Sequence, residues 1–147
     1  MTVRCFISTA GVLLAVSANA QTASKMIPSD WVPALAPSIT SALDRLKAAS
    51  TQTEMNLLSR EVAEMTDAQL FVAYVRLYEK LPPKERTALL AEQEKWLKAR
   101  TKAAAAGIES EGGSLAPLEA NNATVTFTEK RLKELRERFK TLQKKSE

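Results

Sequence analysis

The chain reads as all-α, an elongated antiparallel helical hairpin or bundle of about three to four helices. Three observations lead to this reading. Long stretches consist of strong helix formers, with apolar residues recurring three or four positions apart. Strong breaks are few and sharp, at Pro82-Pro83 and between Gly107 and Ser114. No sustained alternation of apolar and polar residues marks a strand.

Residues 1–20 have the form of a signal peptide. Arg4 supplies the positive start, Phe6 to Val16 a short apolar run, and Ala18-Asn19-Ala20 a small-residue cleavage site. The run is too short to span a bilayer. Gln21, not cysteine, follows the cleavage site, so the expected product is released to the periplasm or secreted without a lipid anchor. Residues 21–50 form a proline-containing arm and a short helix. Pro28, Pro33 and Pro37 interrupt helix formation from Gln21 to Ala36, and Trp31 is expected to tuck against the domain. Ser38 to about Ala49 can form a helix with Ile39, Leu43 and Leu46 on one stripe.

The main helical domain spans residues 51–147. Thr51-Gln52-Thr53-Glu54 reads as a capping box and opens a helix running to about Leu81, roughly 45 Å long. Met55, Leu58, Val62 and Met65 make its first stripe, and Leu70, Tyr74, Leu77 and Leu81 its second. Pro82-Pro83 ends it, with Pro83 suited to the first turn of the next helix. That helix runs from about Lys84 to Ala106, with Gly107 in the position of a C-terminal cap. Within it, Leu89, Leu90, Gln93, Trp96, Leu97 and Arg100 share one face. A buried Gln or Arg requires partners, so this seam is either packed against a neighbouring carboxylate or open to a ligand or partner. Gly107 to Ser114 forms a loop centred on Gly112-Gly113. A last helix runs from near Pro117 to about Gln143, with Thr128, Leu132, Leu135, Phe139 and Leu142 as its seam. Asn121 to Phe127 is its weakest stretch by intrinsic propensity.

Composition narrows the chemistry. The 147 residues contain no histidine and one cysteine, Cys5, which lies in the leader. Imidazole catalysis, thiolate metal sites and disulfides are therefore excluded from the mature form. No catalytic residue, cofactor site or metal site is assigned. Losing Arg4 with the leader leaves 20 basic and 17 acidic side chains, too mild an excess to mark nucleic-acid binding. Basic residues from Lys130 to Lys145 alternate with Glu129, Glu134 and Glu137 at helical ion-pair spacing, which is the pattern of a solvated face or, as the alternative, of a surface that binds an acidic envelope polymer. Asp67, beside the Leu70/Tyr74 stripe, is read as structural and paired with Arg100 or Arg131. Ser110 to Ser114 lacks the strand-loop-helix context of a phosphate site. It reads as a connector or as a loop tip that touches a partner.

Asp67, Leu70 and Tyr74, then Leu90, Gln93, Trp96, Leu97 and Arg100, then Gly113-Ser114 with Pro117, then Thr128, Arg131 and Leu135 form a spaced pattern. This pattern resembles the LprI-like lysozyme inhibitor family, small exported helical proteins. The resemblance covers about Thr51 to Leu135. It implies that Asp67, Leu70, Tyr74, Gln93, Trp96, Arg100, Thr128 and Arg131 are structural motif residues. The family's usual cysteines fall at Leu58, Ala104 and Ala123, so its disulfides are absent here. Phe71 and Thr101 stand where the family has Asn and Asp. Without a link between Ala104 and Ala123, the loop would be held by packing alone, lacking roughly 3 kcal/mol of loop-closure stabilisation. The resemblance implies a non-enzymatic protein with a protein partner, such as a lysozyme-type muramidase. Gly112, Gly113 and Ser114, with a nearby cation, are the candidate contact. The alternative is an envelope adaptor acting through helix-helix contacts.

Overall fold

A computed structural model describes residues 35–110 and 112–145, with side chains described from Ser38 onward. The expected leader, the arm up to Ala34 and its Trp31 lie outside the described residues, as does Glu111 of the loop. Four helices follow one another: α1 (Leu35–Ala48), α2 (Gln52–Lys80), α3 (Pro83–Ala106) and α4 (Ala116–Lys144). No strand occurs among the described residues, and the all-α expectation is borne out.

α1 starts at Leu35, so Leu35 and Ala36 are helical rather than part of an irregular arm. Pro37 falls in the first turn, where its missing N–H is not needed. The Thr51 hydroxyl accepts the Glu54 amide at the start of α2. Glu54 in turn reaches back to the Ser50 amide, one residue before the usual target of a capping box. Pro83 occupies the first position of α3. The turn between the two helices is stitched by Arg86. Its guanidinium donates to the Leu81 and Glu79 carbonyls, at 2.7 and 3.2 Å, and lies over the Tyr78 ring. Those are the carbonyls that a helix end leaves unsatisfied.

Cross-links fix the directions. Asn121 donates to Ser59 at 2.9 Å and Arg136 to Gln69 at 3.2 Å, so α2 and α4 run side by side in parallel. α3 returns antiparallel, with Arg86 at the α2 terminus and Arg100 beside Asp67 near its middle. α1 packs antiparallel on α2, and Arg45 reaches Glu61 at 2.5 Å. α4 packs against both α2 and α3 and is the shared wall of the bundle.

The main core lies in the half of the bundle next to the proline turn. Leu70, Leu77, Leu81, Leu89, Leu132 and Leu135 are buried together, with Tyr74, Trp96 and Phe139 packed around them. The other half is more polar, with Ser59 and Thr66 buried along with Leu58 and Val62. Asn121 to Phe127 is helical despite its poor propensity. Tertiary contacts override the local preference: Asn121 bonds Ser59, and Phe127 stacks on Trp96 with ring centroids 5.8 Å apart.

Gly107 is required for a different reason from the one its position suggests. Its backbone is right-handed, with φ −79°, so no left-handed cap is involved. A Cβ on Gly107 would fall inside contact distance of the Ala123 side chain. The small residue permits α3 and α4 to converge. Gly107→Ala is expected to cost about 1–3 kcal/mol in urea unfolding through overpacking. Adding Ala123→Gly should recover part of that loss.

Candidate functional site

The residues singled out in the sequence converge from three helices. α2 contributes Asp67, Leu70 and Tyr74, α3 contributes Gln93, Trp96 and Arg100, and α4 contributes Thr128 and Arg131. Arg100 pairs with Asp67 and stands 4.9 Å over the Trp96 ring, so its charge is matched on two sides. Of the two arginines considered for Asp67, the partner is Arg100. Tyr74 and Trp96 both pack on the leucine core. Burial pushes the Tyr74 hydroxyl above its usual range. Tyr78 and Glu94 add to that push, and Arg131 opposes it.

Arg131 is only 7 % exposed and is fully engaged. It donates to Gln93 at 3.2 Å, to Glu134 at 2.6 Å and to Glu92 at 3.5 Å. Arg138 reaches the same Glu92 oxygen at 2.6 Å. Partial burial raises the Glu92 carboxyl, but the hydrogen bonds and charges of Arg138 and Arg131 outweigh it and hold the group below the ordinary range. The half-buried Gln93 and the buried Arg131 of the seam thus satisfy each other, an arrangement that a low-dielectric site demands. Thr128, 1 % exposed, is different: its hydroxyl is buried with no partner. The hydroxyls of Thr66 and Thr124 instead bond the carbonyls one turn back.

The expected α3 face does not act as one surface. Leu89 is fully buried, whereas Leu90 and Leu97 are exposed. A face carrying both sets is wider than one helix contact can cover. Leu90 and Leu97 instead border an open cleft between α2 and α3, about 250 Å³ in volume. Leu70, Phe71 and Tyr74 form its α2 wall, and Gln93 and Glu94 complete the α3 wall. The Asp67–Arg100 pair closes its lower end. Beyond that pair a polar groove continues past Arg60, Thr101 and Asn121.

The loop after α3 sits at the opposite end from the proline turn. Gly112 has φ +78°, a conformation suited to glycine, and Gly112, Gly113 and Ser114 are exposed. Packing is not its only restraint. The Glu119 carboxylate accepts the Glu109 amide, the Ser110 amide and the Ser110 hydroxyl, at 3.1, 3.1 and 2.7 Å. Asn56 donates to the Ser114 carbonyl at 2.8 Å. These bonds take the place expected for unaided packing. The hydroxyl and amide of Ser110, together with the Glu109 amide, hold the Glu119 carboxyl below its ordinary range. Sequence inspection missed Glu119 and Asn56, although a Ser followed by a Glu across a Gly-rich loop is a usable signal.

Among the described residues, no three His, Cys, Asp or Glu side chains are grouped to hold a metal ion, and no helix is long and apolar enough to cross a membrane. The class so defined is a small all-α domain whose distinctive surfaces are an apolar cleft and a pinned loop. The family model described as lysozyme inhibitor LprI matches residues 44–135, and the chain belongs to that family. No curated protein and no solved structure matches it.

Thr128→Val should raise stability by about 1 kcal/mol in chemical unfolding, because it removes a buried hydroxyl that has no partner. The Glu119 contribution has the sign of a lowered carboxyl: it is complete above the ordinary glutamate value of 4.5 and lost as pH falls through the lower folded value. In an NMR titration the Glu109 and Ser110 amides should therefore shift with an inflection below 4.5. Glu119→Gln should abolish that inflection.

Proposed function

We propose that the protein is an exported, non-enzymatic binding protein that inhibits a lysozyme-type muramidase. The family match over residues 44–135 carries this reading. In it, residues 1–20 are a leader cleaved after Ala20, residues 21–50 an arm and short helix, and residues 51–147 the inhibitory domain. The mature chain is delivered to the periplasm or secreted. The partner is a protein, and neither nucleic acid nor a cofactor is involved.

The loop tip is the proposed contact. Lysozyme-type active sites hold a pair of carboxylates in a cleft. A narrow, exposed tip of Gly112, Gly113 and Ser114 can enter such a cleft and offer backbone amides and a hydroxyl to those groups. The described side-chain hydrogen bonds of the loop go to Asn56 and Glu119, and the donors proposed are the tip's own N–H and O–H groups together with a nearby cation. Pinning by Glu119 lowers the ordering cost of binding. The purified mature protein is expected to slow turnover of cell-wall substrate by at least one lysozyme in a panel that covers the different structural types. Gly113→Pro should weaken that inhibition while leaving helicity intact. Unchanged turnover across the whole panel would remove the reading.

A second reading, an envelope adaptor acting through helix-helix contacts, is favoured by Phe71, Leu90 and Leu97, which remain exposed after folding. Sedimentation of the mature protein distinguishes the two. A monomer suits an inhibitor, and a helix-mediated assembly suits an adaptor.

A further inference from the structure

α2 and α3 are joined by the shortest turn in the fold, yet each packs more extensively on α4 than on the other. The sector between them is open on the solvent side. Three of the large apolar side chains left exposed stand around that opening: Phe71 at 63 %, Leu90 at 49 % and Leu97 at 42 %. Single exposed apolar residues need no explanation, but a cluster around a concavity does. The floor, Leu70 and Tyr74, belongs to the core or packs against it, so the concavity is present without a ligand.

Size and charge limit what could fill it. At about 250 Å³ it is smaller than the roughly 300–1,000 Å³ of sites built for cofactors and drug-sized ligands. It suits one or two large side chains presented by another polypeptide. Its walls, residues 67–74 of α2 and 90–97 of α3, run antiparallel for about two turns, and a groove between two helices is the kind of site that receives the apolar face of a third. The acidic groups on its lining are Asp67 and Glu94, and no basic side chain lines it. Asp67 is neutralised by Arg100. Glu94 has no hydrogen-bond or ion-pair partner among the described residues. In a chain with a formal charge of +4, the lining of the cleft thus carries one unpaired negative charge.

We propose that the α2/α3 cleft is a docking surface for a cationic amphipathic helix of a partner protein, with an apolar side chain seated between Phe71 and Leu90 and a Lys or Arg facing Glu94. The partner's helix would supply the missing layer between α2 and α3. This deepens the helix-contact reading by naming the surface and the partner class. It is independent of muramidase inhibition through the loop.

The test uses the purified protein and a fluorescent helical peptide of about four turns, made of Leu on one face and Lys on the other, with a Leu/Glu peptide as control. Saturable binding of the Lys peptide is expected, at least about tenfold tighter than that of the Glu peptide. Phe71→Ser and Leu97→Ser should each weaken it about tenfold, in line with the loss of one large apolar contact. Glu94→Gln should weaken it about threefold and flatten its salt dependence. Leu57→Ser, at an exposed leucine outside the cleft, should leave binding unchanged. Circular dichroism of each variant checks that the helices persist. Binding that survives both Phe71→Ser and Leu97→Ser, equal binding of the two peptides, or equal loss in Leu57→Ser overturns the proposal. Self-association of the unliganded protein that disappears in Phe71→Ser also overturns it, since the occupant would then be a second copy. Failure of the Lys peptide to bind overturns the cleft proposal too, whereas helix-mediated self-assembly that persists in Phe71→Ser would leave the broader adaptor reading standing, so the two can fail separately.

Discussion

Everything in the bundle depends on how α4 is held between its two neighbours. Leu135, with no exposure, lies in one cluster with Leu77 of α2 and Leu89 of α3, both equally buried. Burying three such side chains contributes on the order of 1.5–3 kcal/mol each, a large share of what a small domain has in total. α2 and α3 touch each other little, so their relative placement is set through α4. The proline turn limits how far apart they can stand, and Arg86 closes the turn by occupying the carbonyls left open at the end of α2.

Around this apolar centre the polar residues divide into satisfied and unsatisfied groups. Arg131 is almost wholly buried, yet each of its donor directions meets Gln93, Glu134 or Glu92. The carboxylates are half exposed, so only the guanidinium bears a large desolvation cost. That is the less costly way to bury an ion pair. Asp67 and Arg100 form the counterpart between α2 and α3. They span the cleft at one end, which leaves the apolar part above them open and the polar groove below.

Much of the architecture was legible in the sequence because it rests on local rules. Thr51 with Glu54 marks a helix start, and Pro82-Pro83 admits no continuation of α2. The Thr128, Leu132, Leu135 and Phe139 seam places α4 against a core. What could not be read depended on distance in space. Asn121 to Phe127 forms helix because Ser59 and Trp96 are waiting for it. Gly107 is glycine because of Ala123, which lies sixteen positions along. The α3 face looked continuous in projection, but the angular position of α2 decides that Leu89 is covered and Leu90 is not. The candidate site was legible to the same degree. Asp67, Tyr74, Gln93, Trp96, Arg100 and Arg131 were recognisable as meeting one another. The cleft that some of them border was not, since a concavity belongs to no single helix. The clasp at Glu119 was also missed, because its partners are mainly backbone amides.

That clasp frees the loop from redox chemistry. A disulfide at such a place would depend on an oxidant to form and would be lost to a reductant. Here the only cysteine in the sequence is at position 5, and the loop is closed by a carboxylate meeting amides and a hydroxyl. Such a closure is non-covalent and re-forms after every opening. It needs no isomerase, and thiol chemistry in the surroundings has nothing on the described helices to act upon.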